Sequence, residues 1–199
     1  MTVAAMPSLK QFVVRTFVWL PPCFAAWYFS AAYHAPIAGK VARLMVNQLT
    51  SGVVSAMEQS GVDLVFVTNI KVYPAPDRPA LLLPEVNPLI YTYGLAFFLA
   101  LMLAERAKWW KILAGAVILL PFQSWGIAFD VLTQIGLRLG PEVTAQAGLS
   151  NWQLEVIALG YQLGILIFPS LLPIVMWGIF SRLLIDSVRH AVARSGLAM

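Results

Sequence analysis

The chain has 199 residues, of which 60% are hydrophobic and only 11% are charged, and its formal net charge is +4. This balance excludes an ordinary soluble globular domain, in which about 25% of the residues are charged. The basic residues are spread along the chain instead of being gathered on one surface, which argues against a nucleic-acid partner.

Four apolar stretches are long enough to cross a bilayer as helices. A hydrocarbon core of about 30 Å needs roughly 20 apolar helical residues, and the second stretch is near the lower limit of length. Neither an internal repeat nor a linker separates them, so a single integral membrane domain is expected. The sequence predicts an all-α polytopic membrane protein with four transmembrane helices, at about 12–33, 88–104, 110–132 and 156–184.

The first span resembles a secretion signal, because Lys10 and Arg15 precede an apolar run. That run is about 20 residues long, whereas a cleavable signal has an apolar region of about 7–15 residues, so an uncleaved span is expected. Pro21 and Pro22 predict a kink, since proline cannot donate to the helical hydrogen bonds. Cys23 is the only cysteine, which excludes an intrachain disulfide; a buried apolar role is favoured over lipidation.

The loop after the first span, about residues 35–87, is long enough to form a small subdomain. Ile37 to Glu58 places apolar residues on one helical side and polar residues on the other, which predicts an amphipathic helix on the membrane surface or a partner. Val62 to Tyr73 alternates apolar and polar residues and predicts a strand. Leu81 to Val86 can return beside it as a β-hairpin, with Pro84 confining this second strand to an edge.

The remaining loops are shorter. Thr133 to Asn151 predicts short helical pieces broken at Gly140-Pro141. The tail from Leu184 to Val192 has an apolar and a basic side, which indicates a helix lying on anionic membrane lipid.

Charge predicts the orientation, because basic residues next to spans stay in the cytoplasm. If the two termini and the 105–111 loop share one side, that side carries eight basic and two acidic residues. The other side then carries five basic and seven acidic residues. Both termini are therefore expected in the cytoplasm, with the 35–87 and 133–151 loops outside.

Polar residues inside spans are energetically expensive and suggest either function or helix contacts. Gln123 and Asp130 are seven residues apart, as are Glu155 and Gln162, so each pair shares one helical face. We expect a polar groove for a partner or ligand near the outer surface, between the second, third and fourth spans. Its predicted residues are Glu85, Asn87, Tyr91, Gln123, Asp130, Glu155 and Gln162.

The alternative is purely structural. Gln123 and Gln162 would then hydrogen-bond between helices, while Asp130 and Glu155 would be solvated charges at helix ends. Gly160 and Gly164, four residues apart, predict a notch for close helix packing on the fourth span.

The residues give little support to an enzyme. A metal site needs clustered His, Cys or carboxylate ligands, and His34 and His190 are predicted on opposite sides of the membrane. Cys23 is about 15 Å from His34 along a helix, too far for a nucleophile and its base. Neither a metal nor a cofactor is expected. What remains is a scheme based only on carboxylates, with Asp130, Glu155 or Glu85.

Three blocks of sequence are distinctive: EVNPLIYTYG at 85–94, LPFQSWG at 120–126 and WQLEVIALGYQLG at 152–164. Together with WLPPCFAAWY at 19–28 in the first span, they resemble the exosortase H-associated membrane proteins, small accessory proteins of bacterial protein-sorting systems. The resemblance implies a place in the bacterial inner membrane beside a sorting transpeptidase, which handles C-terminal sorting signals of exported proteins. Sorting enzymes of this kind use Cys, Arg and His on the outer side. This chain lacks that set, which favours a partner over an enzyme.

Three functions remain open from the sequence. The first is an accessory or scaffold subunit whose outer ribbon and polar groove dock a sorting enzyme or its substrate. The second is a membrane enzyme that uses outer-side carboxylates on a lipid-linked or peptide substrate. A small-solute transporter is the third and is disfavoured, because four spans without repeats offer little machinery for alternating access.

Overall fold

The computed structural model describes residues 9–75 and 78–181. Three helical segments are long and apolar enough to cross a membrane, at Lys10–Leu49, Trp109–Arg138 and Asn151–Phe180. The prediction of a membrane protein is thereby confirmed. The second predicted span forms a shorter apolar segment, Leu89–Ala104, whose helical rise of about 24 Å is less than the thickness of a hydrocarbon core.

One long helix is followed by a compact β region and then by the remaining helices. In chain order they are α1 (Leu9–Leu49), β1 (Val54–Ser60), β2 (Asp63–Thr68), β3 (Lys71–Ala75), β4 (Arg78–Leu81), β5 (Glu85–Val86), α2 (Leu89–Thr92), α3 (Gly94–Ala104), α4 (Trp109–Thr133), the π-helical turn π1 (Gln134–Arg138), α5 (Pro141–Gln146), α6 (Asn151–Gln162), the π-helical turn π2 (Leu163–Ile167) and α7 (Phe168–Phe180).

The first helix is longer than predicted. α1 has 41 residues and continues through Pro21, Pro22 and Pro36, so the predicted separate surface helix is wrong. Pro36 has no N–H to donate to the carbonyl of Ala32, four residues earlier. The side chain of Gln59 donates to that carbonyl instead, at 3.2 Å, and this substitute bond helps the helix to pass the proline.

The predicted helix also ends earlier than expected. α1 stops at Leu49, and the residues from Val54 onward form β1 instead. Asn47, near the end of α1, accepts a hydrogen bond from the N–H of Val54 at 3.0 Å and donates to its carbonyl at 2.9 Å. This contact, together with pairing to β2, stabilises residues 54–58 as a strand.

The strands form two small antiparallel sheets, one ordered β1-β2-β5 and the other β3-β4. Leu64 of β2 pairs with Val86 of β5, and Lys71 of β3 pairs with Leu81 of β4. Residues 81–86 do return beside 62–73, but not as the single predicted strand: Leu81 ends β4, and Glu85–Val86 form β5 at the edge of the other sheet. The predicted strand at 62–73 is divided at Asn69 and Ile70, because β2 pairs with β1 and β5 whereas β3 pairs with β4.

Amide side chains from the helices hydrogen-bond to backbone N–H and C=O groups at the strand edges. Besides Asn47 at β1, Gln146 of α5 accepts from the N–H of Lys71 at 2.9 Å and donates to its carbonyl at 3.0 Å. Unpaired edge groups readily attract other strands, and these amides occupy some of them. The β region is thus fixed to the helices, as a marginal two-stranded ribbon requires.

The helical bundle has two distinct ends. At one, which we call the β end, the strands pack against α1 and α4. At the opposite end, the ring of Phe12 stacks on Trp177 at 5.0 Å, and the indole N–H of Trp177 donates to Glu105 Oε2 at 2.9 Å. Because Glu105 directly follows α3, the α2–α3 segment runs from the β end to this opposite end.

The second loop has the predicted short helical pieces, π1 and α5, separated at Gly140-Pro141. Gly140 has a φ of +89°, a conformation that favours glycine. The predicted tail helix at 184–192 and the last residues of the fourth predicted span lie outside the described residues.

Candidate functional site

A buried hydrogen bond joins α2 to α4. The hydroxyl of Tyr91 donates to Asp130 Oδ2 at 2.9 Å, and both side chains are buried, with Asp130 only 9% exposed. The ring of Tyr91 packs directly on Gly126, where any Cβ would clash with it. Gly126 and Asp130 are one helical turn apart, so a single face of α4 receives both the ring and the hydroxyl of Tyr91.

Gln134 extends this contact to the β region. Its amide nitrogen donates to Asp130 Oδ1 at 3.4 Å and to the backbone carbonyl of Glu85 at 2.9 Å. Sequence reasoning missed Gln134, because the third span was predicted to end at 132. Its position four residues after Asp130, on the same helical face, was the available signal. The phenol of Tyr161, also missed, lies beside that of Tyr91.

Two predicted residues position α2 through local hydrogen bonds, Glu85 with its backbone carbonyl and Asn87 with its side chain. The side chain of Glu85 is exposed, and its carbonyl accepts from Gln134. Asn87 is exposed as well, and its Oδ1 accepts from the N–H of Leu89 at 3.0 Å, at the first turn of α2. Such a side-chain bond satisfies a helix N–H that has no partner in the helix itself. Both residues therefore position Tyr91.

Gln123 lies deeper along α4 and is buried. It lines a small cavity together with Tyr91, Phe122 and Phe168. Within residues 9–75 and 78–181, its amide makes no hydrogen bond, so the expected interhelical bond is not seen there. Gln123 is near Tyr91 but outside the network of Asp130.

Glu155 and Gln162 do not join this network, because both are exposed on α6. Leu159, which is 58% exposed, and Leu166, which is 66% exposed, continue the same stripe. We call these four residues, Glu155, Leu159, Gln162 and Leu166, the Gln162 face. In the described part of the chain, the Gln162 side chain has no hydrogen-bond partner.

The opposite side of α6 and π2 faces α4 through Gly160 and Gly164. A Cβ at Gly164 would lie 2.8 Å from the Cα of Gly126, and one at Gly160 would overlap the ring of Phe129. The indole N–H of Trp125 donates to the carbonyl of Gly160 at 3.0 Å. The small residues thus allow close backbone approach at this contact.

The geometry offers few groups for chemistry. Among the described residues, no cluster of three or more His, Cys, Asp or Glu side chains could hold a metal ion. Each oxygen of Asp130 already accepts a hydrogen bond from the protein. Cys23 is buried within α1, and His190 lies outside the described residues. What the network does accomplish is to fix the β region and α2 on α4.

Comparison with known proteins supplies the family. The family model described as exosortase H-associated membrane protein matches residues 6–184, nearly the whole chain. No curated protein and no solved structure matches the chain significantly. The resemblance of the three sequence blocks is confirmed by this match. The chain belongs to the exosortase H-associated membrane protein family.

Proposed function

We propose that the protein is a non-catalytic accessory or scaffold subunit of a bacterial inner-membrane sorting system of the exosortase type. In this role it docks the sorting enzyme, a transpeptidase, or its substrate on the outer side of the membrane. The family name supports an association with exosortase. The side chains of the candidate site support a docking role over a catalytic one.

The observation that carries the proposal is that Asp130 is buried and that both of its carboxylate oxygens accept hydrogen bonds from the protein. A catalytic acid or base must reach a proton of its substrate, at about 2.6–3.2 Å or through one water. Asp130 is buried, and Tyr91 and Gln134 each donate to one of its oxygens. The carboxylates of Glu85 and Glu155 are exposed and belong to separate elements. Their arrangement favours structural and docking roles.

The proposed topology has four spans and both termini in the cytoplasm. It is supported by the α2–α3 segment, which runs between the two ends of the bundle although it is short. It is also supported by Arg106, Lys108 and Lys111, which lie at the end opposite the β region, where basic residues favour the cytoplasmic side. The β region and the start of α6 then face outward.

Co-purification tests the proposal. A tagged form of the protein, extracted from its native membranes in mild detergent, is expected to recover the sorting enzyme in stoichiometric amount. An unrelated tagged protein with four spans, produced at the same level, serves as the control for membrane proteins that bind non-specifically. Recovery of the protein without the sorting enzyme would contradict the docking role.

A further inference from the structure

We propose that the Gln162 face is the docking surface for a transmembrane helix of the partner, and this inference rests on the proposed accessory function. That helix carries a polar hydrogen-bonding side chain near the middle of the membrane and a basic side chain near its outer boundary. The first would meet Gln162 and the second Glu155. Leu159, between Glu155 and Gln162, and Leu166, one turn beyond Gln162, would supply the apolar contacts.

The depth of Gln162 follows from the start of α6. Trp152 is 66% exposed there, and exposed tryptophans are enriched at the boundary between hydrocarbon and headgroups. Gln162 is ten residues further along, which corresponds to about 15 Å of helical rise. Since a hydrocarbon core is about 30 Å thick, the amide of Gln162 lies near its middle.

An amide at this depth needs a partner. Lipid tails neither donate nor accept hydrogen bonds, and a polar group left unpaired in an apolar medium costs several kcal/mol. Gln162 is exposed and makes no hydrogen bond to any described residue. Its side chain is too far from either headgroup region to reach water. A helix with a polar side chain satisfies this amide, whereas lipid does not.

The other exposed surfaces of the bundle differ from the Gln162 face. The exposed large side chains of α1 and α4 in the membrane are apolar or aromatic, as is appropriate for contact with lipid. Examples are Val13, Val14, Phe17, Val18 and Phe29 on α1, and Leu113, Val117 and Ile118 on α4. The Gln162 face also extends into π2, which contains Leu166, and π-helical turns are frequent at functional sites.

Charge distinguishes between two possible occupants, a second copy of this chain and a different protein. In a membrane dimer with two-fold symmetry, both copies keep the same orientation and present the same patch to each other. The carboxylates of Glu155 and of its symmetry copy would then approach across the interface, and like charges repel. A helix from another protein with a basic residue at that level is complementary to Glu155. The charge therefore favours a different protein.

Site-specific photocrosslinking in native membranes tests the inference. A photoreactive phenylalanine derivative replaces Leu159, which keeps Gln162 intact, or replaces Val117 on α4 as the control; both sites are exposed. We expect a crosslink to a transmembrane helix of the sorting enzyme from position 159 and none from position 117. Gln162→Leu is expected to reduce this crosslink roughly three- to tenfold, the effect of losing one interhelical hydrogen bond.

Each other outcome has a definite meaning. A product containing two copies of this chain would overturn the inference in favour of a dimer. Lipid adducts alone at position 159, in a preparation that still co-purifies the sorting enzyme, would overturn the inference and leave the accessory function intact. An unchanged crosslink in Gln162→Leu would rule out a role for the amide. Failure of the wild-type protein to co-purify the enzyme would overturn both proposals.

Discussion

A buried carboxylate in a membrane protein is stable only when its oxygens are hydrogen-bonded. Tyr91 and Gln134 provide those bonds to Asp130, the first from α2 and the second from π1. The bond from Gln134 to the carbonyl of Glu85 then ties this carboxylate to the β region. Two segments far apart in sequence, 85–91 and 130–134, are thereby held together.

Replacing Asp130 tests this role. Asp130→Ala leaves the buried hydroxyl of Tyr91 without its acceptor, and we expect the free energy of unfolding to fall by about 1–3 kcal/mol. Asp130→Asn retains an acceptor oxygen and is expected to lose less. Thermal unfolding in detergent measures both variants. Glu155→Gln, at an exposed carboxylate, is the matched control and should change stability by less than about 0.5 kcal/mol.

The same variants separate structure from catalysis. A protein with Asp130→Asn that assembles with the sorting enzyme should still support sorting of an exported substrate. Loss of sorting in an assembled complex would favour the enzyme interpretation. An Asp130→Ala protein as stable as the wild type would show that the network contributes nothing to the fold.

At the scale of elements, the contact of α4 with α6 and π2 depends on backbone proximity. Gly126 of α4 receives the ring of Tyr91 on one side and approaches Gly164 on the other. The indole N–H of Trp125 secures the same contact through the carbonyl of Gly160. Because α6 turns its glycine side toward α4, its Gln162 face is directed away from the bundle.

Glycine substitutions measure this contact. In Gly164→Ala the new Cβ would lie 2.8 Å from the Cα of Gly126, so a backbone must move. We expect a loss of about 1–3 kcal/mol in the free energy of unfolding, typical of overpacking. Gly178→Ala is the matched control, since nothing lies within 4 Å of its Cβ and alanine favours a helix. Equal stability of the two variants would contradict the proposed close packing.

At the scale of the whole molecule, the bundle has the strands at one end and the basic loop with Arg106, Lys108 and Lys111 at the other. Tyr73, which is exposed on β3, marks the first end, and Lys108 marks the second. α2–α3 connects these ends, and the proposed orientation places the strands outside.

Cysteine labelling tests that orientation. On a Cys23→Ser background, a single cysteine at Tyr73 should react with a membrane-impermeant maleimide in intact spheroplasts. A cysteine at Lys108 should react only after the membrane is permeabilised. The physical reason is that basic residues next to spans stay cytoplasmic. The opposite pattern of labelling would reverse the topology and move the proposed docking site for the partner.

Sequence predicted the local elements of this fold better than their connections. The apolar stretches and the alternation of 62–73 predicted helices and strands correctly, because both patterns repeat over a few neighbouring residues. The amphipathic helical pattern of Ile37 to Glu58 was misleading, since the last residues of this segment form β1. That strand depends on Asn47 and on β2, which a pattern within residues 54–58 does not include.

For the candidate site, too, the sequence predicted local features better than contacts between distant segments. Spacing by seven identified Asp130 and Gln162 as polar residues on defined helical faces, and the sequence alone was sufficient for that. It placed Glu155 and Gln162 beside Asp130, whereas the structure turns them to the exposed surface of α6. Gln134 was missed because the third span was predicted to end at 132, whereas the helix continues as π1 from Gln134.

What the sequence by itself determined is that this protein resides in a membrane, with long apolar helices, a small β region and a family identity in its motifs. These properties depend on composition and on short-range periodicity. Only the tertiary structure decided that Tyr91 and Gln134 enclose Asp130, and that Gln162 points away from them. The direction of a polar side chain depends on which distant segment packs against its helix, and periodicity along one helix carries no such information.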